Sequence, residues 1–228
     1  MQLFSDDKRY HALKFGNSLP DYIIYQPDMT PFQYAFSVCS WIRKLKTSGI
    51  PSWLSYEVIG DGRSEILMSD DGFYNHIFGQ YEDLTSYFTV TPGTWYHYCK
   101  TWSYSSAQQK VYLNGQQIGS TLTTPSGRSL GMNGHLVIGN DQDDFGAGMN
   151  DGEAFGGELY KLNFFSKELS SSEVQAMARD KCSGVEETYG DIRSMKWENI
   201  LLLSRNGDVT EIETGCGPGR FTCKRLMM

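Results

Sequence analysis

From Tyr10 to Glu213 the apolar residues fall in short alternating runs separated by Gly, Pro, Asn and Asp, a pattern that suits β-strands and little else. HALKF, DYIIY and AFSVCSWI are broken by Pro20, Pro27 and Pro31. WLSYEVI and EILM are punctuated by Gly49, Pro51, Gly60, Asp61 and Gly62, and FYNHIFG and LTSYFTV follow Asp70-Asp71-Gly72. Aromatic and β-branched residues dominate these runs, as half-buried pleated surfaces require. In KVYLNGQQIGS, Asn114-Gly115 between alternating residues predicts a hairpin, with Val111 and Leu113 on one face and Tyr112 on the other. HLVIG and ELYKLNFF read as further strands, and MKWENILLL and DVTEIE as closing strands around Asn206-Gly207.

One helix is expected. Ser170 and Glu173 have the spacing of a capping box, and Val174, Met177 and Ala178 repeat at helical intervals. Gly184 is its expected stop, about three turns on. The chain therefore reads as all-β, a two-sheet antiparallel jelly-roll sandwich of lectin-like type with one short α-helix packed on it. Residues 1–213 form one domain, and residues 214–228, richer in Cys, Gly and basic residues, form a C-terminal appendage. No internal repeat, low-complexity segment or linker divides it.

Between Gly139 and Leu159, GNDQDDFGAGMNDGEAFGGEL sets Asp141, Asp143, Asp144, Asp151 and Glu153 among glycines, two Asn and a Gln. Crowded carboxylates repel one another unless a positive charge sits among them. Hard oxygen donors on a flexible loop suit calcium, although a solvated acidic loop has the same composition. A formal charge of −7 argues against a nucleic-acid partner. No apolar run is long enough to span a bilayer, and the start, MQLFSDDKRYH, shows no apolar signal-peptide core.

No catalytic constellation emerges. Gly127-Arg128-Ser129-Leu130-Gly131 fits G-x-S-x-G but lacks the strand before and the helix after that a nucleophile elbow needs. His11, His76, His97 and His135 are scattered and read as structural. Asp141 and Asp143 could be paired as in a glycosidase, yet the loop glycines and amides suit a cation better. The chain is read as a non-enzyme.

Five cysteines are an odd number, which in a secreted chain leaves one thiol free or pairs it with a neighbour. Cys39 and Cys99 lie in strand-like runs, compatible with a cross-strand bridge, an inter-sheet bridge or two buried thiols. Among Cys182, Cys216 and Cys223 the pairing stays open: Cys182 with either of the others, or Cys216 with Cys223.

Several motifs in fixed order resemble the pentraxins. His97-Tyr98-Cys99-Lys100-Thr101-Trp102 matches that family's signature H-x-C-x-S/T-W, and Cys39 in FSVCSW stands where the signature cysteine's partner stands. HLVIGNDQDDFGAGMNDGEAFGGELYKLNFF follows the family's calcium loop and next strand without a gap. The likeness runs from about Tyr10 to about Glu213, taking in LSSSEV and Trp197.

The resemblance implies a Cys39–Cys99 disulfide and a calcium shell of Asp141, the backbone carbonyl of Gln142, Asp143, Asn150 and Glu153. Asp141 and Asp143 would flank two ions and Glu153 would chiefly hold the outer one. The family usually has Glu at 141, Asp or Glu at 150 and Gln at 153, so the last two exchanges move a negative charge along the loop without removing it. Its other calcium loop corresponds to Asp61-Gly62-Arg63-Ser64; strict alignment sets Arg63 and Ser64 at the metal, one extra loop residue makes Asp61 the candidate ligand, and Asn150 and Asp61 together decide whether the site holds two ions or one. The implied protein is secreted, cyclic and homo-oligomeric, an invertebrate-like member. It would be a calcium-dependent lectin of innate immunity for phosphorylated or anionic ligands, from phosphoethanolamine- and phosphocholine-like groups to microbial polysaccharides. Ser69 and Asp70 stand where an aromatic would favour phosphocholine. The competing reading is a structural or adhesive pentraxin-fold protein that builds disulfide-linked assemblies and has no ligand site.

Overall fold

The structure is a computed structural model and describes residues 8–60, 64–69, 75–84, 86–87 and 90–216. Among them the strands in chain order are His11–Phe15 (β1), Ile23–Tyr25 (β2), Ala35–Lys44 (β3), Ser52–Glu57 (β4), Ile66–Ser69 (β5), Asn75–Ile77 (β6) and Gln80–Glu82 (β7). Trp95–Ser103 (β8), Gln108–Leu113 (β9), Gln116–Thr123 (β10), His135–Ile138 (β11), Gly157–Phe165 (β12) and Val209–Glu213 (β13) follow. Two α-helices, Ser171–Ala178 (α1) and Trp197–Ile200 (α2), and three short 3-10 stretches complete the described chain.

The strands form two sheets, ordered β10-β9-β8-β3-β12-β1-β13 and β2-β11-β4-β5-β6-β7. Neighbours run antiparallel, and the two sheets face each other as a jelly-roll sandwich. Alternation decides which face each side chain takes: β3 sends Phe36, Val38 and Ile42 into the main core and Cys39 to the opposite face. Aromatic edges tie the two sheets, with Trp53 of β4 against Tyr98 of β8 at 5.7 Å and Phe78 against Trp102 at 5.0 Å. All nine residues of β12 are buried, because this strand is central in its sheet and covered on both sides.

The outer cover is α1, whose Val174 and Met177 pack on Tyr112, Phe165, Leu169, Cys39 and Cys99. Ser170 caps it as expected, its side chain accepting from the Glu173 amide while the Glu173 carboxylate accepts from the Ser170 amide. Ser170→Ala is expected to cost about 1 kcal/mol, read as a lower urea midpoint with unchanged slope. The Asn114-Gly115 hairpin forms with φ of 49° and 81°, and Gly115 passes so close to α1 that a Cβ would lie 2.9 Å from the Gln175 Cα.

Cys39 and Cys99 are register partners on β3 and β8 and are bonded, so the bridge is cross-strand. A closed loop of 60 residues contributes roughly 4 kcal/mol on the chain-entropy model. Cys182 pairs with Cys216, fastening residue 216 to the connection after α1; Cys223 lies outside the described residues. Lys100 of β8 is fully buried between the sheets, and its ammonium donates to the carbonyls of Leu67 (2.8 Å) and His76 (2.6 Å) in the other sheet.

Three expectations fail locally. MKWENILLL is not a closing strand: α2 occupies its centre, burying Trp197, Ile200 and Leu201 at helical spacing and leaving Leu202 exposed. A second helix therefore joins the single one expected. In LTSYFTV the described residues form no strand; Leu84 is buried, Ser86 and Tyr87 make a turn, and the strand of this region is β7. α1 ends at Ala178 rather than near Gly184, which instead begins the 3-10 stretch Val185–Ile192.

Candidate metal centre

The acidic stretch is a loop clipped shut at its base. The Gly139 amide donates to the Trp53 carbonyl (3.1 Å), and the Phe155 amide donates back to the Gly139 carbonyl (2.9 Å). β4 enters alongside: the Ile50 and Ser52 amides donate to the carbonyls of Gly152 and Glu153, both at 2.9 Å. Lys46, just beyond β3, donates to the carbonyls of Asp151 and Ala154. The start of β4 and the end of β3 thus hold the loop, and its side chains can converge.

Three of them do. Carboxylate oxygens of Asp141, Asp143 and Glu153 all lie within 4.8 Å of one another. Asp141 is buried, Glu153 half-buried and Asp143 exposed, so the cluster opens to solvent on one side. Burial, reinforced by the charges of Glu153, Asp143 and Glu57, pushes the Asp141 carboxyl up to about 8. Burial and the Asp143 charge also raise Glu153, against a hydrogen bond from Asn150. Anions this unwilling to ionise together describe a place where a cation would be stabilising.

Asn150 belongs to the same corner. Its side-chain amide donates to the Glu153 carboxylate (2.5 Å), and its side-chain oxygen accepts from the Glu153 amide (3.2 Å). The side chain of Gln142 takes a structural role that the sequence reading missed. Buried, it donates to the carbonyls of His135 (2.9 Å) and Ser55 (3.3 Å) and accepts from the Gly146 amide (3.0 Å), stitching the loop to β11 and β4. This leaves only its backbone carbonyl for a ligand. Asn140, also missed, accepts from the Asp141 amide (2.9 Å) and donates to the Asn150 carbonyl (3.2 Å). The other acids of the stretch serve elsewhere: Asp144 accepts from the Phe145 amide (2.7 Å), Asp151 from the Leu19 amide (2.6 Å), and Glu158 pairs with Arg43. Asp61 lies outside the described residues.

Gly148 sits at φ +83° with Asp143 so close that a Cβ there would stand 2.8 Å from the Asp143 Cβ. Only glycine meets both demands. The donors are all oxygen and partly flexible, a set that fits a hard ion of calcium type rather than a thiophilic one.

The fold and this loop place the chain in a known class. It belongs to the Concanavalin A-like lectin/glucanases superfamily, whose family model matches residues 18–175. Within that class its relatives are pentraxins. Human neuronal pentraxin-1 is 30% identical over 148 residues, covering 65% of this chain and 34% of the relative. The rat sushi, von Willebrand factor type A, EGF and pentraxin domain-containing protein 1 is 28% identical over 149 residues, 65% of this chain but 4% of that protein. The chain thus spans about a third of the first relative's length and a small part of the second's. The native heptameric SAP-like pentraxin of Limulus polyphemus superposes with a TM-score of 0.69 at 22% identity, covering 93% of this chain and all of that one. No helix among the described residues is long and apolar enough to cross a membrane, and the two disulfides fit an oxidising compartment.

Proposed function

We propose that this is a secreted, calcium-dependent pentraxin-type lectin that captures phosphorylated or anionic groups for innate recognition. The observation that carries the reading is the convergence of Asp141, Asp143 and Glu153 within 4.8 Å on a loop clamped by the sandwich. Calcium bound there neutralises the repulsion that raises Asp141 and leaves coordination positions on the solvent side. Phosphate or carboxylate oxygens of phosphoethanolamine- or phosphocholine-like groups, or of microbial polysaccharides, then complete the shell. Asn150 and the Gln142 carbonyl are the further ligands of this ion, and Asp61 is the ligand that would add a second.

This chain's own residues position and bind; no reaction is assigned to them. Three carboxylates converging on one point suit an ion better than the two separated carboxyl groups of a glycosidase. A single site of this kind is weak, roughly 10⁻⁴ to 10⁻³ M for calcium. A cyclic homo-oligomer that turns many such sites to one side gains by multivalency, and the heptameric Limulus relative supports that arrangement. The competing assembly by interchain disulfides would run through Cys223, the one cysteine that the Cys39–Cys99 and Cys182–Cys216 pairs leave for a neighbour; non-reducing electrophoresis separates the two readings, since that assembly requires a covalent dimer.

Chromatography on phosphoethanolamine resin tests the reading: the chain is expected to bind in millimolar calcium and to elute with chelator. Retention unaffected by chelator would remove the basis for the proposal. Gly148→Ala, which displaces Asp143, is expected to weaken calcium binding about tenfold in a calorimetric titration, given the contact and positive φ at that position.

A further inference from the structure

The outer face of the seven-stranded sheet carries a second set of ligand-type side chains. His97 and Cys99 are two residues apart on β8 and so share a face, and Trp41 and Cys39 stand opposite them on β3. The sulfurs of Cys39 and Cys99 and a ring nitrogen of His97 all lie within 4.8 Å of one another. His97 is 2% exposed, and its Nδ1 finds no hydrogen-bond partner among the described residues. An orphaned buried nitrogen costs about 1–3 kcal/mol, which calls for a use. Beside it lies a cavity of about 10 Å³, lined by Cys39, Trp41, His97, Lys161 and Glu186 among others.

We propose that reduction of the Cys39–Cys99 bond turns this corner into a metal site, in which the two sulfurs and His97 hold one thiophilic cation of the zinc type. A dithiol reductant supplies two electrons and two protons. The S–S bond breaks, two thiols form, and the reductant closes to its own disulfide. The cation displaces both thiol protons to solvent and takes the imidazole lone pair. Two sulfurs and one nitrogen select zinc or cobalt over calcium, and three protein ligands leave a fourth position open.

The surroundings suit this change. The same cavity is lined by Lys161. Lys161 is itself paired with Glu186 at 2.7 Å, so together they add little net charge to the cavity. The bonded pair is register-matched across adjacent strands, so β3 and β8 keep both sulfurs beside His97 after the bond opens.

The test uses the full chain with excess calcium to fill oxygen sites. It is reduced with a phosphine, desalted under argon and titrated with Co2+. A thiolate-to-cobalt charge-transfer band saturating at one equivalent at this pair is expected in the reduced chain and not in the oxidised one. His97→Gln should weaken that binding by at least about tenfold, and Cys39→Ser offers the same test through a second ligand. An undiminished band in both variants would assign the metal to other cysteines and overturn the proposal, as would no band in the reduced, folded chain. If reduction alone unfolds the protein, Co2+ must restore its β-sheet circular dichroism; failure to do so overturns the proposal equally.

Discussion

In chelator, the chain is expected to lose more stability than Asp141→Asn as pH rises from 5 to 9, and saturating calcium is expected to remove the difference. In the folded state the Asp141 carboxyl ionises near pH 8, against 3.8 for the ordinary group. Between those values the folded chain holds a proton that the unfolded chain has released, so stability falls as pH rises through the window. Below it both states are protonated and the penalty vanishes; above it both are ionised and the penalty is complete. A shift of this size corresponds to on the order of 5 kcal/mol. Glu153, also raised, adds with the same sign. Urea midpoints of the parent and of Asp141→Asn at pH 5, 7 and 9, with and without calcium, measure the effect; the half-buried His76 and the buried His97 act with the opposite sign below about pH 6.5 and contribute equally to both chains. Equal pH dependence in Asp141→Asn and the parent chain would mean that the cluster is not the source.

The second large effect concerns binding. Asp141→Ala with Asp143→Ala is expected to lower calcium affinity by more than about 100-fold and to abolish chelator-sensitive retention, since two of three converging anions are lost. The sandwich should remain intact, because neither side chain belongs to either hydrophobic cluster. In chelator above about pH 8, where the parent's Asp141 is ionised, the double variant should be at least as stable as the parent, having lost a buried charge that nothing neutralises. Full retention on phosphoethanolamine resin by the folded double variant would place the ligand elsewhere on the surface.

Much of this arrangement was legible in residue order. The alternation in HALKF and AFSVCSWI, the Asn114-Gly115 turn and the Ser170/Glu173 cap each encode a local geometry, and each occurs as read. The convergence of Asp141, Asp143 and Glu153 followed from the resemblance, which supplied a spacing that composition alone lacks. MKWENILLL misled because a run of Leu and Ile fits either period. Only the burial of Trp197, Ile200 and Leu201 against the rest of the core selects helix. Beyond α1 the chain makes a local turn that went unread: the Asp180 carboxylate accepts from the Cys182 amide (2.9 Å) and the Asp180 carbonyl from the Ser183 amide (3.1 Å), while no local signal announces Cys216 as the partner of Cys182. Nor does the sequence say that Gln142 spends its side chain on His135 and Ser55, because those partners are brought together by the strands β11 and β4.

Lys100 has a bearing on how the two halves find their alignment. Greasy faces of two sheets can slide past each other with modest loss, since apolar contact is non-directional. An ammonium cannot: displaced by one residue, it would lose the Leu67 and His76 carbonyls and remain charged in a dry interior. Offset packings are thereby penalised far more than the native one is rewarded, which is selection among competing compact states rather than added strength. The sandwich has, in effect, one keyed position.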